Sequence, residues 1–305
     1  MTTLEAHVVA IGMRVPFRGI TTREALLLKG PAGWGEFAPF SEYGDEEAAA
    51  WLASAVEAAT VGWPAPVRTS VEVNATVPAV ADVGPVLDRF PGATTAKVKV
   101  AQAGQSLRDD VARVAAVRER IPNVRVDANG AWSVEEAVTA LKALGELEYC
   151  EQPCATVKEL AAVRSRVDVL IAADESVRKA SDPLRVARAG AADILVLKAA
   201  PLGGVRRALG IADECGLPVV VSSALDTSVG IAAGVALAAA LPSLPYACGL
   251  ATTSLLQGDV VQDSWVGGAL TPLVVDEDLV ERWAAPPDRR DWWLSRYARV
   301  LELLP

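Results

Sequence analysis

Several residue types are scarce in this chain of 305 residues, and each scarcity excludes a kind of catalytic or metal site. The only histidine is His7, so no histidine base can come from the later part of the chain, and we interpret His7 as a structural residue. The four cysteines offer one close pair and no second pair, so we interpret them as reduced core thiols rather than zinc ligands. They are Cys150, Cys154, Cys215 and Cys248.

Long apolar runs and clusters of positive charge are also missing. The longest apolar run, residues 231–241, is too short and too rich in alanine to span a membrane. The first 17 residues lack the basic and apolar segments of a signal peptide, so we expect a cytoplasmic protein. With a net charge of −9 and no run of Lys or Arg, the chain is expected to bind neither nucleic acid nor an anionic membrane surface.

From about residue 70 onward, two kinds of segment, β-type and helical, alternate along the chain. Short β-type runs alternate with runs rich in Ala and Leu, such as residues 106–121 and 133–144, whose apolar positions recur at helical spacing. Eight strands separated by helices are the pattern of a parallel β/α barrel. The β-type runs are SVEVNATV, AKVKVA, VRVDANG, LEYCEQP, VLIAADES, DILVLKAA, PVVVSSAL and YACGLAT.

Polar residues recur near the ends of these runs at a nearly constant interval. Successive positions lie 28, 24, 23, 24 and 24 residues apart, which is about one βα unit of such a barrel. Each side chain is therefore expected at the carboxyl end of its strand, the end that carries the chemistry in these barrels. The six positions are Lys99, Asp127, Glu151, Asp174, Lys198 and Ser222.

The first part of the chain follows a different pattern. Residues 1–69 predict an α+β capping domain, a short antiparallel meander followed by a helix. The tail, about residues 270–305, is expected to return to this domain, which leaves residues 70–269 as the barrel. The segment Arg14–Thr22 is long for a hairpin loop and is either a lid or a disordered tip; Arg18 within it is predicted to contact substrate.

Three carboxylates occupy three consecutive strand ends. Asp127, Glu151 and Asp174 would repel one another at one barrel mouth unless a cation lay between them. Their oxygen donors favour a hard ion, so we predict a Mg²⁺ site, which Mn²⁺ can also occupy.

Two lysines of one strand and a third from the opposite wall accompany these carboxylates. Lys97 and Lys99 share a strand face, and Lys198 lies on another strand. A metal ion and neighbouring ammonium groups disfavour the charged form of a lysine, so one of them can serve as a base that removes a proton α to a carboxylate. Arg125 shares the face of Asp127 and is either a supporting partner of the site or a core ion pair.

Together these residues resemble the enolase superfamily, muconate-lactonising subgroup, over essentially the whole chain. The resemblance implies a (β/α)₇β barrel of the TIM type with an α+β cap, and one Mg²⁺ held by the three carboxylates. It also implies that Lys99 and Lys198 form the acid/base pair on opposite faces of the substrate. The motifs that carry it are Lys97-Val98-Lys99, Asp127-Ala128-Asn129, Glu151-Gln152-Pro153, Asp174-Glu175-Ser176, and Lys198 with Gly203-Gly204.

Within the subgroup, the segments VVVSSALDTSVG and GLATTSLLQGD are most similar to the o-succinylbenzoate synthase family. That family dehydrates 2-succinyl-6-hydroxy-2,4-cyclohexadiene-1-carboxylate during menaquinone synthesis, so a small carboxylate substrate is implied. Lys99 would remove the α-proton, and Lys198 would stay cationic against the ring. Ser222, Ser223 and Thr252 would suit the succinyl side, with Lys97, Asn129 and Glu175 in supporting roles.

Two alternatives stay open on the sequence alone. An N-acylamino-acid racemase, such as one acting on N-succinylamino acids, would use the same lysines and metal. A non-catalytic barrel that only binds a metal–carboxylate ligand predicts the loss of a lysine or carboxylate, and none is missing. A dipeptide epimerase is disfavoured because the last β-type run has no acidic residue before Asp259. The sequence does not specify an oligomeric state.

Overall fold

The chain forms a small antiparallel sheet followed by a parallel barrel. A computed structural model of the protein describes residues 4–17, 19–178 and 183–304. The strands in chain order are β1 (Glu5–Phe17), β2 (Ile20–Gly30), β3 (Gly33–Phe37), β4 (Ser70–Val71), β5 (Ala75–Val77), β6 (Thr95–Lys99), β7 (Asn123–Asp127), β8 (Cys150–Glu151), β9 (Ile171–Ala173), β10 (Ile194–Leu197), β11 (Val219–Val221) and β12 (Gly268–Ala269).

Helices follow most of these strands, and a short 3₁₀ helix spans Thr252–Leu255. The α-helices in chain order are α1 (Asp45–Thr60), α2 (Gly84–Leu87), α3 (Leu107–Arg118), α4 (Val134–Leu144), α5 (Val157–Arg164), α6 (Glu175–Arg178), α7 (Arg185–Arg188), α8 (Val205–Cys215), α9 (Ser228–Ala240), α10 (Glu277–Arg282) and α11 (Pro287–Leu301).

The capping sheet has the strand order β1-β2-β3, and α1 packs across it. The helix lies so close to the sheet that a Cβ on Gly35 would stand 2.0 Å from the carbonyl oxygen of Ala55, so only glycine fits there. Trp51 and Leu52 of α1 are buried against this sheet, which gives the cap an apolar core of its own.

The hairpin between β1 and β2 differs from the expectation for residues 14–22. Instead of a long loop, β1 continues to Phe17 and β2 begins at Ile20, and these two residues pair across the turn. Pro16 lies within β1 and is tolerated because β1 is an edge strand, where a missing N–H need not break the ladder.

Seven parallel strands, β5 to β11, lie side by side in chain order. The eighth β-type run closes the sheet through isolated bridges: Cys248 pairs with Val73 at one edge, and Gly249 pairs with Ser222 at the other. The Gly249 N–H donates to the Val221 carbonyl at 2.8 Å, and the Asn74 N–H donates to the Cys248 carbonyl at 2.9 Å. The predicted fold class, a (β/α)₇β barrel with an α+β cap, is confirmed.

Capping boxes start three consecutive barrel helices soon after their strands end. Ser106, Ser133 and Thr156 precede α3, α4 and α5, and each exchanges hydrogen bonds with an acidic residue three positions later. These sequence-encoded starts turn the chain back down the outside of the barrel and leave the strand ends facing the cap.

The C-terminal helices return to the capping sheet. The Ala10 N–H donates to the Trp283 carbonyl at 2.8 Å. On α11, Arg289 and the Trp293 indole donate to the Glu24 carboxylate of β2, the latter at 2.9 Å. These contacts support the division that we propose, with residues 1–69 and 270–305 forming one unit and residues 70–269 forming the other. Within the described ranges, none of the helices has the length and apolar character of a membrane span.

Trp293 is the residue of α11 on which this return depends most, since only 2% of it is exposed. We expect Trp293→Ala to lower the free energy of unfolding by about 3–5 kcal/mol, because it removes a large buried side chain and an indole donor. The matched control is Leu294→Ala on the exposed side of the same helix, expected to cost about 0.5 kcal/mol or less. Urea denaturation followed by circular dichroism measures both, and equal effects would contradict this docking.

Candidate active site

The six polar residues predicted at the strand ends lie there in the structure. Three of them close their strands: Lys99 ends β6, Asp127 ends β7 and Glu151 ends β8. The other three follow a strand directly: Asp174 follows β9, Lys198 follows β10 and Ser222 follows β11. Because Lys99 is in register with Asp127, and Asp127 with Glu151, these side chains emerge at the same level of the barrel mouth.

Lys97 forms the deeper part of the cluster. Its ammonium group donates to both oxygens of Glu151, at 2.9 and 3.1 Å, and to the Ser222 hydroxyl at 3.4 Å. Burial lowers the pKa of Lys97, but Glu151 and Asp127 more than offset this and raise its pKa above the usual value. Lys97 is therefore a fixed cation that neutralises neighbouring carboxylates.

Lys99 lies closer to the mouth and has a different electrostatic environment. Its ammonium group donates to Asp127 Oδ2 and, at 2.7 Å, to Asn129 Oδ1. Burial lowers the pKa of Lys99, and the charge of Lys97 lowers it further, while Asp127 acts in the opposite direction; the net shift is downward. A lysine with a lowered pKa is the better candidate for a base.

Lys198 reaches the third carboxylate from the opposite side of the barrel. Its ammonium group donates to Asp174 Oδ2 at 2.6 Å, and the Arg178 guanidinium donates to Asp174 Oδ1 at 3.0 Å. Burial raises the pKa of Asp174, but these two cations outweigh burial and hold its pKa well below the usual range. Arg178 also donates to Glu175 at 2.7 Å, so the acid next to Asp174 belongs to the same network.

The pKa values of the other two carboxylates are shifted in opposite directions. Burial raises the pKa of Asp127, but Lys99 and Lys97 lower it to about 2. Burial and the charge of Asp127 raise the pKa of Glu151 to about 7, even though Lys97 acts against them. Glu151 is thus the carboxylate whose ionised form is least favoured by the protein alone.

The three carboxylates offer the oxygen donors that a divalent metal ion prefers. Asp127, Glu151 and Asp174 are at most 1% exposed and lie at the ends of adjacent strands, and their hard oxygen donors match a hard dication. In the arrangement of this structure their oxygens bind lysines and Arg178, and within the described part of the chain no three Asp, Glu, His or Cys side chains stand together as a metal cluster. The metal assignment of these three residues stays a prediction.

A pocket opens above the cluster, and the cap closes its top. Cap residues Phe17, Phe40 and Trp51 contribute to its wall, and Phe17 lies over the Lys99 ammonium group at 5.3 Å from the ring centroid. The barrel contributes Thr76, Lys97, Lys99, Asp127, Asn129, Arg178, Lys198, Pro201, Ser222, Ser223, Ala224, Leu225 and Thr252.

The predicted substrate-binding residues fall into two groups. Ser222, Ser223 and Thr252 line the pocket, and the hydroxyls of Ser223 and Thr252 are hydrogen-bonded at 2.8 Å. Arg18 lies outside the described residues, so its predicted contact with substrate has no structural counterpart here.

Three of the four predicted supporting residues join the cluster, Lys97 as described above together with Asn129 and Glu175, and Arg125 does not. The Asn129 side chain accepts from Lys99 and donates to Glu175 at 3.1 Å, which links both residues to the site. Arg125 instead donates to Glu148 at 2.7 Å and to the Tyr149 hydroxyl at 3.0 Å, below the level of the carboxylates. We therefore interpret Arg125 as a buried core ion pair.

Arg178 and the cap residues of the pocket were not predicted from the sequence. Arg178 had a usable signal: Asp174 directly precedes α6 and Arg178 ends it four residues later, the spacing that places two side chains on one helix face. Phe17, Phe40 and Trp51 had none, because their position depends on how the cap docks onto the barrel.

Comparison with known proteins agrees with this fold and site. The family model "Enolase C-terminal domain-like" matches residues 87–278, and "Enolase N-terminal domain-like" matches residues 8–59. Among solved structures, the muconate lactonizing enzyme from Pseudomonas putida has a TM-score of 0.76 at 21% identity, covering 93% of this chain and 99% of that one. The L-Ala-D/L-Glu epimerase from Bacillus subtilis has a TM-score of 0.73 at 23% identity, with coverage of 88% and 96%. Fold and site thus define a member of the enolase superfamily.

Curated relatives indicate which family of this superfamily the chain resembles. An o-succinylbenzoate synthase of Mycolicibacterium smegmatis is 63% identical, covering 95% of this chain and 93% of its own length. One of Mycobacterium bovis is 59% identical, with coverage of 98% and 94%. The chain therefore belongs to the o-succinylbenzoate synthase family. The prediction that the chain belongs to this family is confirmed, and so is the prediction of a lyase of the enolase superfamily. The prediction that the enzyme depends on a divalent metal ion is confirmed as well, without the identity of the metal.

If the three carboxylates hold the metal, Glu151→Gln should weaken its binding most cleanly, because it removes one charge and preserves shape. We expect the affinity for Mg²⁺, measured by isothermal titration calorimetry, to fall by at least ~10-fold. Glu135→Gln on the exposed face of α4 is the isosteric control and should leave affinity unchanged. Unaltered binding in Glu151→Gln would remove this residue from the metal site.

Proposed function

We propose that this protein catalyses the o-succinylbenzoate synthase reaction, the dehydration of 2-succinyl-6-hydroxy-2,4-cyclohexadiene-1-carboxylate to o-succinylbenzoate, in menaquinone biosynthesis. The observation that carries the proposal is the position of two lysines on facing walls of one pocket. Lys99 lies on the second and Lys198 on the sixth of eight strand positions, which are opposite in a closed ring. Relatives at 59–63% identity bear the name of this activity.

The charges of the cluster favour a substrate with two carboxylates. Its four acids, Asp127, Glu151, Asp174 and Glu175, are matched by four cations, Lys97, Lys99, Lys198 and Arg178, so the formal charges sum to zero. Adding a dication leaves a charge of +2 while Lys99 is protonated, and +1 once Lys99 is the neutral base. A buried positive charge of this size is costly unless an anion enters. The cyclohexadiene substrate carries two carboxylates and meets this requirement.

Lys99 would remove the proton from the ring carbon that bears the carboxylate. The C–H bond breaks, the proton moves to the neutral amine, and the electron pair spreads into the carboxylate. The ring hydroxyl then leaves on the same face as water with the proton that Lys99 has gained, and the ring becomes aromatic. The lowered pKa of Lys99 supports its role as the base, and Asn129 holds its amine in place.

Lys198 would remain a cation throughout. From the opposite wall it faces the ring, where an ammonium group stabilises both the electron-rich ring and the developing negative charge. A divalent ion, when bound by Asp127, Glu151 and Asp174, would supply positive charge at the substrate carboxylate as the proton leaves. We propose Mg²⁺ for this role, with Mn²⁺ as a substitute.

The supporting residues would hold the catalytic lysines and the carboxylates in position. Lys97 adds positive charge that depresses the pKa of Lys99, and its contacts with Glu151 fix that carboxylate. Glu175 accepts from both Asn129 and Arg178, so hydrogen bonds link the Lys99 side of the carboxylate row to the Asp174 side. Ser222, Ser223 and Thr252 would face the succinyl arm.

The same facing lysines also favour a second activity, racemisation of N-succinylamino acids. That reaction needs Lys198 as a base for the opposite face, whereas dehydration needs it only as a cation. The two activities are therefore separable by substitution at Lys198.

We also propose that the enzyme works in the cytoplasm. Cys150, Cys154 and Cys248 are buried thiols that form no disulfide, which suits a reducing compartment.

Variants of the three lysines test this division of roles. Lys99→Ala should lower turnover by about 10²–10⁴-fold, the usual contribution of general acid–base catalysis. Lys97→Ala should lose less, because its effect is electrostatic. Lys198→Arg should retain part of the dehydration and lose racemisation of an N-succinylamino acid. Turnover of both substrates with Mg²⁺ measures this, and NMR follows solvent deuterium exchange at the α-carbon.

The control is Lys142→Ala on the solvent side of α4, which should match the unaltered enzyme in every assay. Each variant is checked for an unchanged melting temperature, so that loss of activity is not loss of structure. If Lys99→Ala exchanged the α-proton at the normal rate, Lys99 would not be the base. If the unaltered protein with Mg²⁺ turned over neither substrate, the proposed function would be wrong.

A further inference from the structure

The loop between β11 and α9 forms one wall of the pocket. Its residues Ser223, Ala224 and Leu225 all line the cavity. Leu225 has a φ of +63°, a left-handed conformation that a non-glycine residue adopts only when its surroundings impose it. Something outside the loop must therefore hold this wall in its shape.

Arg23 of cap strand β2 makes the first of these contacts. Its Nε donates to the Leu225 carbonyl at 3.1 Å, and its guanidinium lies 3.7 Å from Asp226 Oδ1. Asp226 in turn accepts from the Ala224 N–H at 2.9 Å. Arg23 is buried and does not line the pocket, so it acts on the wall from behind.

Glu36 of cap strand β3 makes the second contact, at the start of α9. Its Oε2 accepts from the Thr227 hydroxyl at 2.5 Å, from the Thr227 N–H at 3.1 Å and from the Gly230 N–H at 3.0 Å. Through these contacts Glu36 satisfies N–H groups at the start of the helix that have no partner within it. A Cβ on Gly230 would stand 2.6 Å from the Asp226 side chain and 3.0 Å from the Glu36 carboxyl carbon, so the position favours glycine.

The position of this wall in the ring indicates which part of the substrate meets it. β11 is the seventh strand position and lies opposite β7, the third, which carries Asp127. A substrate that directs its ring carboxylate toward the acids at the ends of β7, β8 and β9 extends its other arm toward the loop after β11. The hydroxyls of Ser223 and Thr252 offer that arm a polar end.

We propose that Arg23 and Glu36 are positioning residues that shape the pocket wall for the succinyl arm of the substrate, although neither touches it. The inference rests on the proposed function, because it takes o-succinylbenzoate as the product. It makes the cap responsible for recognition of the arm, through the loop of the barrel that its strands hold.

The chain offers a matched control in Glu57 of cap helix α1. Its carboxylate also binds the start of a barrel helix, accepting from the Val205 N–H of α8 at 2.7 Å, and it pairs with Arg206 at 2.8 Å. Neither Glu57 nor its two partners line the pocket. Loss of Glu57 therefore weakens a cap–barrel contact of the same kind without touching the wall.

The test measures binding of o-succinylbenzoate and of benzoate, which lacks the arm, by isothermal titration calorimetry with Mg²⁺. Glu36→Ala and Arg23→Lys should weaken o-succinylbenzoate about tenfold, as expected for a lost buried hydrogen bond, and leave benzoate within ~2-fold. Glu36→Gln should bind within ~3-fold of the unaltered protein, because its amide oxygen can replace Oε2. Glu57→Ala should bind both ligands normally.

Each other result has a defined meaning. If o-succinylbenzoate and benzoate weakened equally, Arg23 and Glu36 would support only the fold, and the inference would be overturned. It would also be overturned if Glu36→Ala and Arg23→Lys bound o-succinylbenzoate as tightly as the unaltered protein, which leaves the proposed function intact. If Glu36→Ala did not fold, Arg23→Lys, which keeps the charge, decides. Failure of the unaltered protein to bind o-succinylbenzoate would overturn the proposed function itself.

Discussion

The mutual neutralisation of buried lysines and carboxylates at the barrel mouth is the interaction on which the rest of this site depends. A single ion removed from water costs several kcal/mol, so none of these groups can be buried without its partners. Lys97, Lys99 and Lys198 each pair with at least one acid, and each acid on β7 to β9 pairs with at least one cation. The same pairing sets the charge balance of the mouth, so any ion or ligand that enters must be compensated by these groups, and stability and electrostatics share one set of contacts.

The parallel barrel is what allows a sequence to specify this cluster. Each strand contributes its polar residue where the strand ends, and neighbouring strands are in register, as Lys99, Asp127 and Glu151 demonstrate. A nearly constant spacing along the chain therefore becomes a ring in space. For this reason the barrel and the strand-end positions of all six residues could be predicted from local patterns. Sequence alone left the partner of each side chain undetermined, because side-chain pairing across the mouth follows from the closed ring.

What escaped prediction depends on contacts between distant parts of the chain. The pairing of Phe17 with Ile20 was not predicted, because the length of the segment between two β-type runs does not show how far each strand extends. The aromatic residues over the pocket come from the cap, whose docking has no periodic signal. Arg125 shares a strand face with Asp127, but two residues of strand separate their levels, so its guanidinium meets Glu148 and Tyr149 instead.

The cap and the barrel meet through a constraint that the barrel itself creates. Helices α8 and α9 follow barrel strands and begin near the mouth, where the N–H groups of their first turns lack partners within the helix and can be met by the cap. Glu36 accepts from an N–H group at the start of α9, and Glu57 accepts from one at the start of α8. Because the α9 start is continuous with the strained turn at Leu225, a contact that satisfies a helix also determines the shape of a pocket wall. The barrel therefore supplies the lysines and carboxylates, while the cap can tune recognition by adjusting how firmly it holds one loop, without altering a residue that performs the chemistry.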